Sequence, residues 1–170
     1  ENSTGDDNTA VGREALLENT TASGNVAIGN QSLRENTEGH TNTAVGSSSG
    51  QSITTGDENV TIGHGALDGG TTVNGNTAVG TDTMGSASYS GSYNTAVGYN
   101  ALSANTSGTS NTAIGASALV SNTTGGSNTA HDDEFFRQRR IRRWWFHSGA
   151  SFGMRDSGEA IPAAGELPGS

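Results

Sequence analysis

The chain has no cysteine, no lysine and only two prolines among its 170 residues. Without cysteine neither disulfides nor thiolate metal sites are available, and the redox state of its compartment is left open. Apolar residues make up only 30%, where a globular core of this length uses about half. No apolar run reaches the roughly 18 residues that a membrane-spanning helix needs. The sequence shows no signal-peptide pattern and begins in mid-repeat, with Asn2, Thr4 and Gly5 matching the end of a unit, so a processed chain or a segment of a longer one is expected. Glycine, asparagine, serine and threonine dominate instead. Such a composition alone suggests disorder.

The arrangement of the few apolar residues argues otherwise. A pentad close to Asn-Thr-Ala-Val-Gly opens at Asn8, Asn25, Asn42, Asn59, Asn76, Asn94, Asn111 and Asn128, every 17 residues with one step of 18. A short fixed period means that each copy is one structural unit that cannot bury its own apolar side, so neighbours must stack. The expected fold is all-β: a parallel β-solenoid of about seven 17-residue coils over residues 1–130, followed by a non-repeat segment over 131–170. Coils spaced like strands, about 4.8 Å apart, give a rod on the order of 35 Å.

Numbering each unit from its asparagine, position two is Thr or Val and position four is Val11, Ile28, Val45, Ile62, Val79, Val97 or Ile114. These β-branched positions share one side of a strand, which the pattern predicts to be the inward side. Position three is Ala10, Ala27, Ala44, Ala78, Ala96 and Ala113, with Thr61 the departure, and is expected to face outward. Either that alanine column packs against a neighbouring chain, letting backbones approach closely, or it is a flat solvent-facing surface where alanine is incidental. Position five is glycine from Gly12 to Gly115, which reads as a corner with positive φ or close backbone approach. Leucine at position nine supplies a second inward plug, replaced by Met84 and Gly50, and an Asn-Thr-x-Gly turn closes the coil. The stacked asparagines at position one either form a side-chain ladder or merely tolerate a turn conformation.

At these residues the chain resembles a family. Asn42-Thr-Ala-Val-Gly46, Asn94-Thr-Ala-Val-Gly98 and Asn111-Thr-Ala-Ile-Gly115, each followed after two residues by a small residue and then Leu or its replacement, look like the head repeats of YadA-type trimeric autotransporter adhesins. They look still more like the longer-period repeats of bacteriophage tail fibres and related surface proteins. The resemblance covers about residues 1–130. It implies a left-handed β-roll, a homotrimer, and an extracellular, cell-surface or virion-surface role in attachment to a host glycan or protein receptor. A self-assembling extracellular filament, built by end-to-end strand addition, is the alternative.

The pattern breaks after Asn128-Thr-Ala130. Six of the eight arginines lie in the last forty residues, which carry six acids, whereas the repeat region has 11 acids and two arginines; the net charge of −9 therefore belongs to the rod. Residues 133–146 read as a short helix with Phe136, Arg140 and Trp144 on one stripe, able to cap the last coil or attach a neighbouring subunit. Arginines among aromatics also suit nucleic acid or an anionic membrane, but an acidic rod disfavours nucleic acid as a partner. A shifted reading frame or a misassembled terminus would produce the same switch of composition.

No catalytic or metal-ligand spacing stands out. Asp57, Glu58, Asp68, Asp82, Glu35 and Glu38 lie at variable turn positions on different coils, and His40, His64, His131 and His147 are isolated. The expectation is a protein that is not an enzyme and holds no cofactor or metal. Receptor contacts are expected where coils deviate, around residues 47–51, 68–74 and 86–93, with Tyr89 and Tyr93 flanking the 18-residue step as a candidate sugar-stacking pair. Ice binding, which uses regular threonine columns, is disfavoured, because Val26 and Val60 mark position two as inward and position thirteen lies in a turn. Asn-x-Ser/Thr triplets at Asn2, Asn19, Asn30, Asn59, Asn105 and Asn122 are expected by chance in this composition.

Overall fold

The structure, a computed structural model, describes residues 3–131. Each pentad forms one three-residue strand: β1 (Thr9–Val11), β2 (Val26–Ile28), β3 (Thr43–Val45), β4 (Val60–Ile62), β5 (Thr77–Val79), β6 (Thr95–Val97), β7 (Thr112–Ile114) and β8 (Thr129–His131). They make one parallel sheet in the order β1 to β8. Like positions pair with like, Ala10 with Ala27 and Ala27 with Ala44. The 18-residue step is absorbed without loss of register, since Thr77 still pairs with Thr95. This is the expected parallel β-solenoid, with no helix among the described residues. The helix expected over 133–146, with Phe136, Arg140 and Trp144, lies outside the described residues.

The side chains alternate as expected, but the inward face is the opposite one. Ala27, Ala44, Ala78, Ala96 and Ala113 are completely buried within the single chain. Val11 is 57% exposed, Ile28 40% and Ile62 39%. Greater hydrophobicity predicts that valine and isoleucine go inside; available volume decides otherwise. The interior of one coil already holds the position-nine side chains Leu33, Leu67, Met84 and Leu102 together with the position-one asparagines, and only a methyl group fits between them. The alanine column is therefore no seam between chains. Ala10, in the terminal strand, is exposed, yet it pairs in the same inward register.

Both readings of the corner glycine hold together. Gly63 has φ +131°, and a Cβ there would stand 2.5 Å from the carbonyl oxygen of Gly80. The same overlap repeats from Gly12 to Gly98. Less expected is the conformation of the leucine plugs: Leu33, Leu67, Leu102 and Leu119 have φ of 46°, 51°, 53° and 52°. A left-handed conformation costs an ordinary residue about 1–2 kcal/mol. The coil tolerates it because in that conformation Leu33, Leu67 and Leu102 are completely buried, and their burial offsets the cost.

Two adjacent coils depart from the pattern at three places that compensate one another. Gly50 stands where leucine is expected, Ile53 where the closing turn has asparagine, and Thr61 where the next strand has alanine. A Cβ on Gly50 would lie 3.1 Å from Ile53 Cδ1, 3.2 Å from Leu33 Cδ2 and 3.2 Å from Thr61 Oγ1. The buried Thr61 hydroxyl accepts a 2.8 Å hydrogen bond from Ser49. Ile53 thus fills the volume leucine vacates, and the remainder admits a threonine.

Two stability measurements follow by guanidinium denaturation. Gly63→Ala is expected to cost at least about 3 kcal/mol, because neither the φ nor the adjacent carbonyl can yield. Gly50→Leu alone is expected to cost about 1–3 kcal/mol, whereas Gly50→Leu combined with Ile53→Asn and Thr61→Ala recovers most of that loss. Simple additivity of the three changes would refute the compensation.

Candidate functional site

Asparagine is the chief polar residue of the interior. The Oδ1 of each position-one asparagine accepts the backbone N–H of the next one: Asn25 from Asn42 at 2.8 Å, Asn42 from Asn59 at 2.9 Å, Asn59 from Asn76 at 3.0 Å and Asn94 from Asn111 at 2.8 Å. The Nδ2 donates across the coil, from Asn25 to the Gly39 carbonyl at 2.9 Å and from Asn94 to the Gly108 carbonyl at 2.9 Å. A second column ends on the same carbonyls, since Asn36 and Asn105 each donate to them at 2.9 Å. The ladder exists, then, and runs chiefly from backbone to side chain. Asn19, Asn59 and Asn105 are buried in these columns, which removes them as glycan acceptors in the folded chain.

Another ladder runs along position sixteen, where no single residue type marks it. Ser23 Oγ, His40 Nδ1, Asp57 Oδ1, Asn74 Oδ1 and Ser92 Oγ each accept the backbone N–H of the preceding coil, at 2.7–3.0 Å. The shared signal is an acceptor two or three bonds beyond Cα. Along position thirteen, Thr20, Thr37, Thr54 and Thr106 donate their hydroxyls to the next threonine's carbonyl at 3.0–3.2 Å.

The two tyrosines expected as a pair part company. Tyr89 is 2% exposed, so it is no receptor contact. Ser90 takes the place of threonine in the position-thirteen column by bonding the Thr106 carbonyl, which sets Tyr89 where other coils have the second asparagine. Its hydroxyl accepts from Asn94 Nδ2 at 2.8 Å and lies 3.2 Å from Asn76 Oδ1. Gly70 in the coil before leaves room for it, since a Cβ there would stand 3.3 Å from the Tyr89 ring. Tyr93 is 66% exposed, as a contact residue must be. Tyr99, which the sequence reading passed over, is also largely exposed.

The charged groups form small local networks. Arg34 lies within 4 Å of Glu14, Glu18 and Glu35. The Gln31 hydrogen bond, with Arg13 and Arg34 nearby, holds the Glu14 carboxyl below its usual range. Burial, and then the neighbouring Asp82, push Asp68 up. His64 Nδ1 is 3.9 Å from Asp82 Oδ1. Among the described residues no three His, Asp or Glu side chains converge in a way that could hold a metal ion.

What remains is a surface. Positions two and four put two parallel columns of Thr, Val and Ile on the outer side of the eight-stranded sheet, from Thr9 and Val11 to Thr112 and Ile114. No charged residue occurs at positions one to five of the seven complete copies, from Asn8 to Gly115. Among the described residues the acids all lie outside the strands. No protein-family model, no curated protein and no solved structure matches this chain.

Burial pushes the Tyr89 hydroxyl from the usual 10 up to about 12. The unfolded chain therefore gives up that proton first, so stability is complete below about pH 10 and falls as the pH rises to about 12. Tyr89→Phe is expected to flatten that fall and to remove the last tyrosinate absorbance step. At neutral pH it should cost only about 1 kcal/mol, because both asparagine partners keep other bonds.

Proposed function

We propose that this chain is a shaft or head segment of a surface fibre, performs no catalysis, assembles with copies of itself through the outer face of its sheet, and presents its turns for attachment. The observation carrying this reading is that face: uncharged and β-branched through the seven complete copies, in a chain of net charge −9. Like-charged rods approach each other only where charge is absent, and burial of Val11, Ile28 and Ile62 from their present exposure gives association its driving force. The resemblance to trimeric adhesin heads and tail fibres supports three chains and an extracellular or virion-surface place. The seam is formed by valine and isoleucine, in place of the alanines.

The same orientation favours a second reading. With position two outward, Thr77, Thr95 and Thr112 stand on consecutive strands, and Val60 separates them from Thr43; a threonine row of this kind can order water or ice.

Light scattering decides between them. The expected mass is three times that of the chain. Ile62→Glu with Val97→Glu is expected to reduce it to a single chain while the circular dichroism spectrum is unchanged, because neither side chain enters the core. A wild-type monomer would overturn the assembly reading, and thermal hysteresis of that monomer would establish the ice-binding one. Open-ended polymer would point to the filament.

A further inference from the structure

We infer that the coils around β6 carry a subsite for a neutral polysaccharide, with the ring of Tyr93 as its stacking platform. The inference rests on the attachment role proposed above and names the class of ligand. Tyr93 has φ 61° and donates its N–H to the Asn74 carbonyl at 2.9 Å. Its ring lies over Gly75: a Cβ there would stand 2.8 Å from Cδ1 and 3.0 Å from Cε1. Only glycine at that place lets the ring settle against the backbone, and even so it remains 66% exposed. The ring is thus supported from below and open to solvent, so little ordering entropy remains to be lost on binding. An aromatic face is electron-rich, and it suits the C–H-bearing face of a pyranose. Ser92, next in the chain, uses its Oγ as an acceptor for the Asn74 N–H, which leaves its O–H to donate. Ser110 stands exposed in the next coil at the position Tyr93 holds in its own.

Charge selects the kind of sugar. The acids of the described rod end at Asp82, and from 83 to 131 the sequence contains no Asp, Glu, Lys or Arg. Beyond Asp82, the stretch bearing Tyr93 and the whole coil bearing Tyr99 therefore offer hydroxyls, amides and two exposed rings, with Asp82 the one acid of the coil that ends at Tyr93. The preceding coils, with Asp6, Asp7, Glu14, Glu18, Glu35, Glu38, Asp57 and Glu58, repel an anionic polymer. A neutral hexose polymer meets no such opposition.

The test is affinity electrophoresis of the full chain through gels containing dextran, mannan, laminarin or, as the anionic comparison, alginate. At least one neutral polymer is expected to retard the protein, with little dependence on salt. Tyr93→Ser copies the residue that Ser110 and Ser127 supply in the same left-handed conformation, so the fold is kept. It is expected to weaken binding about tenfold, the size of one aromatic stacking contact. Gly75→Val, which displaces the ring, should weaken it likewise. The inference is overturned if no neutral polymer binds, if Tyr93→Ser leaves retardation unchanged, or if alginate binds best. Light scattering on the same samples separates the two claims: a retained trimer without glycan binding sinks this inference alone, and glycan binding by a monomer sinks only the assembly.

Discussion

Each coil is held to the next by an asparagine whose side-chain oxygen accepts the backbone N–H of the asparagine one coil on. The strands are only three residues long, too short to fix register through ladder bonds alone, and a slip of one residue would exchange the inner and outer faces. An amide that accepts along the axis and donates across the coil satisfies two backbone groups at the corner where the strand begins. A buried backbone group without a partner costs about 1–3 kcal/mol, so any other register is penalised at every coil. The interior can then be partly polar without being unstable, and a 30% apolar composition suffices.

The same corner explains the strain carried elsewhere. A coil of 17 residues must turn sharply, and the turns place residues such as Glu14, Leu16 and Asp7 at positive φ. Each departure is small beside the gain from stacking a whole coil on its neighbours, because in a solenoid the energy is nearly a sum of unit and interface contributions. Local cost can therefore recur in every repeat provided the interface gain recurs too. A coil with an unusual residue needs a neighbour that answers it, as Gly50 is answered by Ile53 and Thr61.

Much of this fold is legible in the sequence and the rest is hidden for identifiable reasons. Period, strand position, corner glycine and leucine plug all follow from repetition, because every copy meets the same surroundings. The orientation of the strand does not: period-two alternation distinguishes two faces but leaves open which is inside. Hydrophobicity chose Val45 and Ile62, whereas the narrow interior admits only Ala44 and, beside Gly50, Thr61. The position-sixteen ladder is invisible to residue identity, since serine, histidine, aspartate and asparagine share only an acceptor at a similar reach. Tyr89 and Tyr93 look equivalent in the chain, four residues apart around the 18-residue step. Only the bond from Ser90 to Thr106 shows that one stands in the asparagine column and the other on the surface.

Charge placement joins the fold to its use. Inside the coil a charge would face a bundle of aligned carbonyls and amides already paired, and on the outer sheet face it would oppose its own copies one strand away. Both sites are closed to acids, which leaves the turns. Yet the turns of the later coils carry none, although their geometry matches the earlier ones closely: Ser117 and Glu14 share φ 59°, and so do Glu58 and Ser127. The backbone thus accepts either residue, and folding alone gives no reason for the difference. An uncharged surface where the fold itself is indifferent is what the proposed contact with a neutral ligand requires.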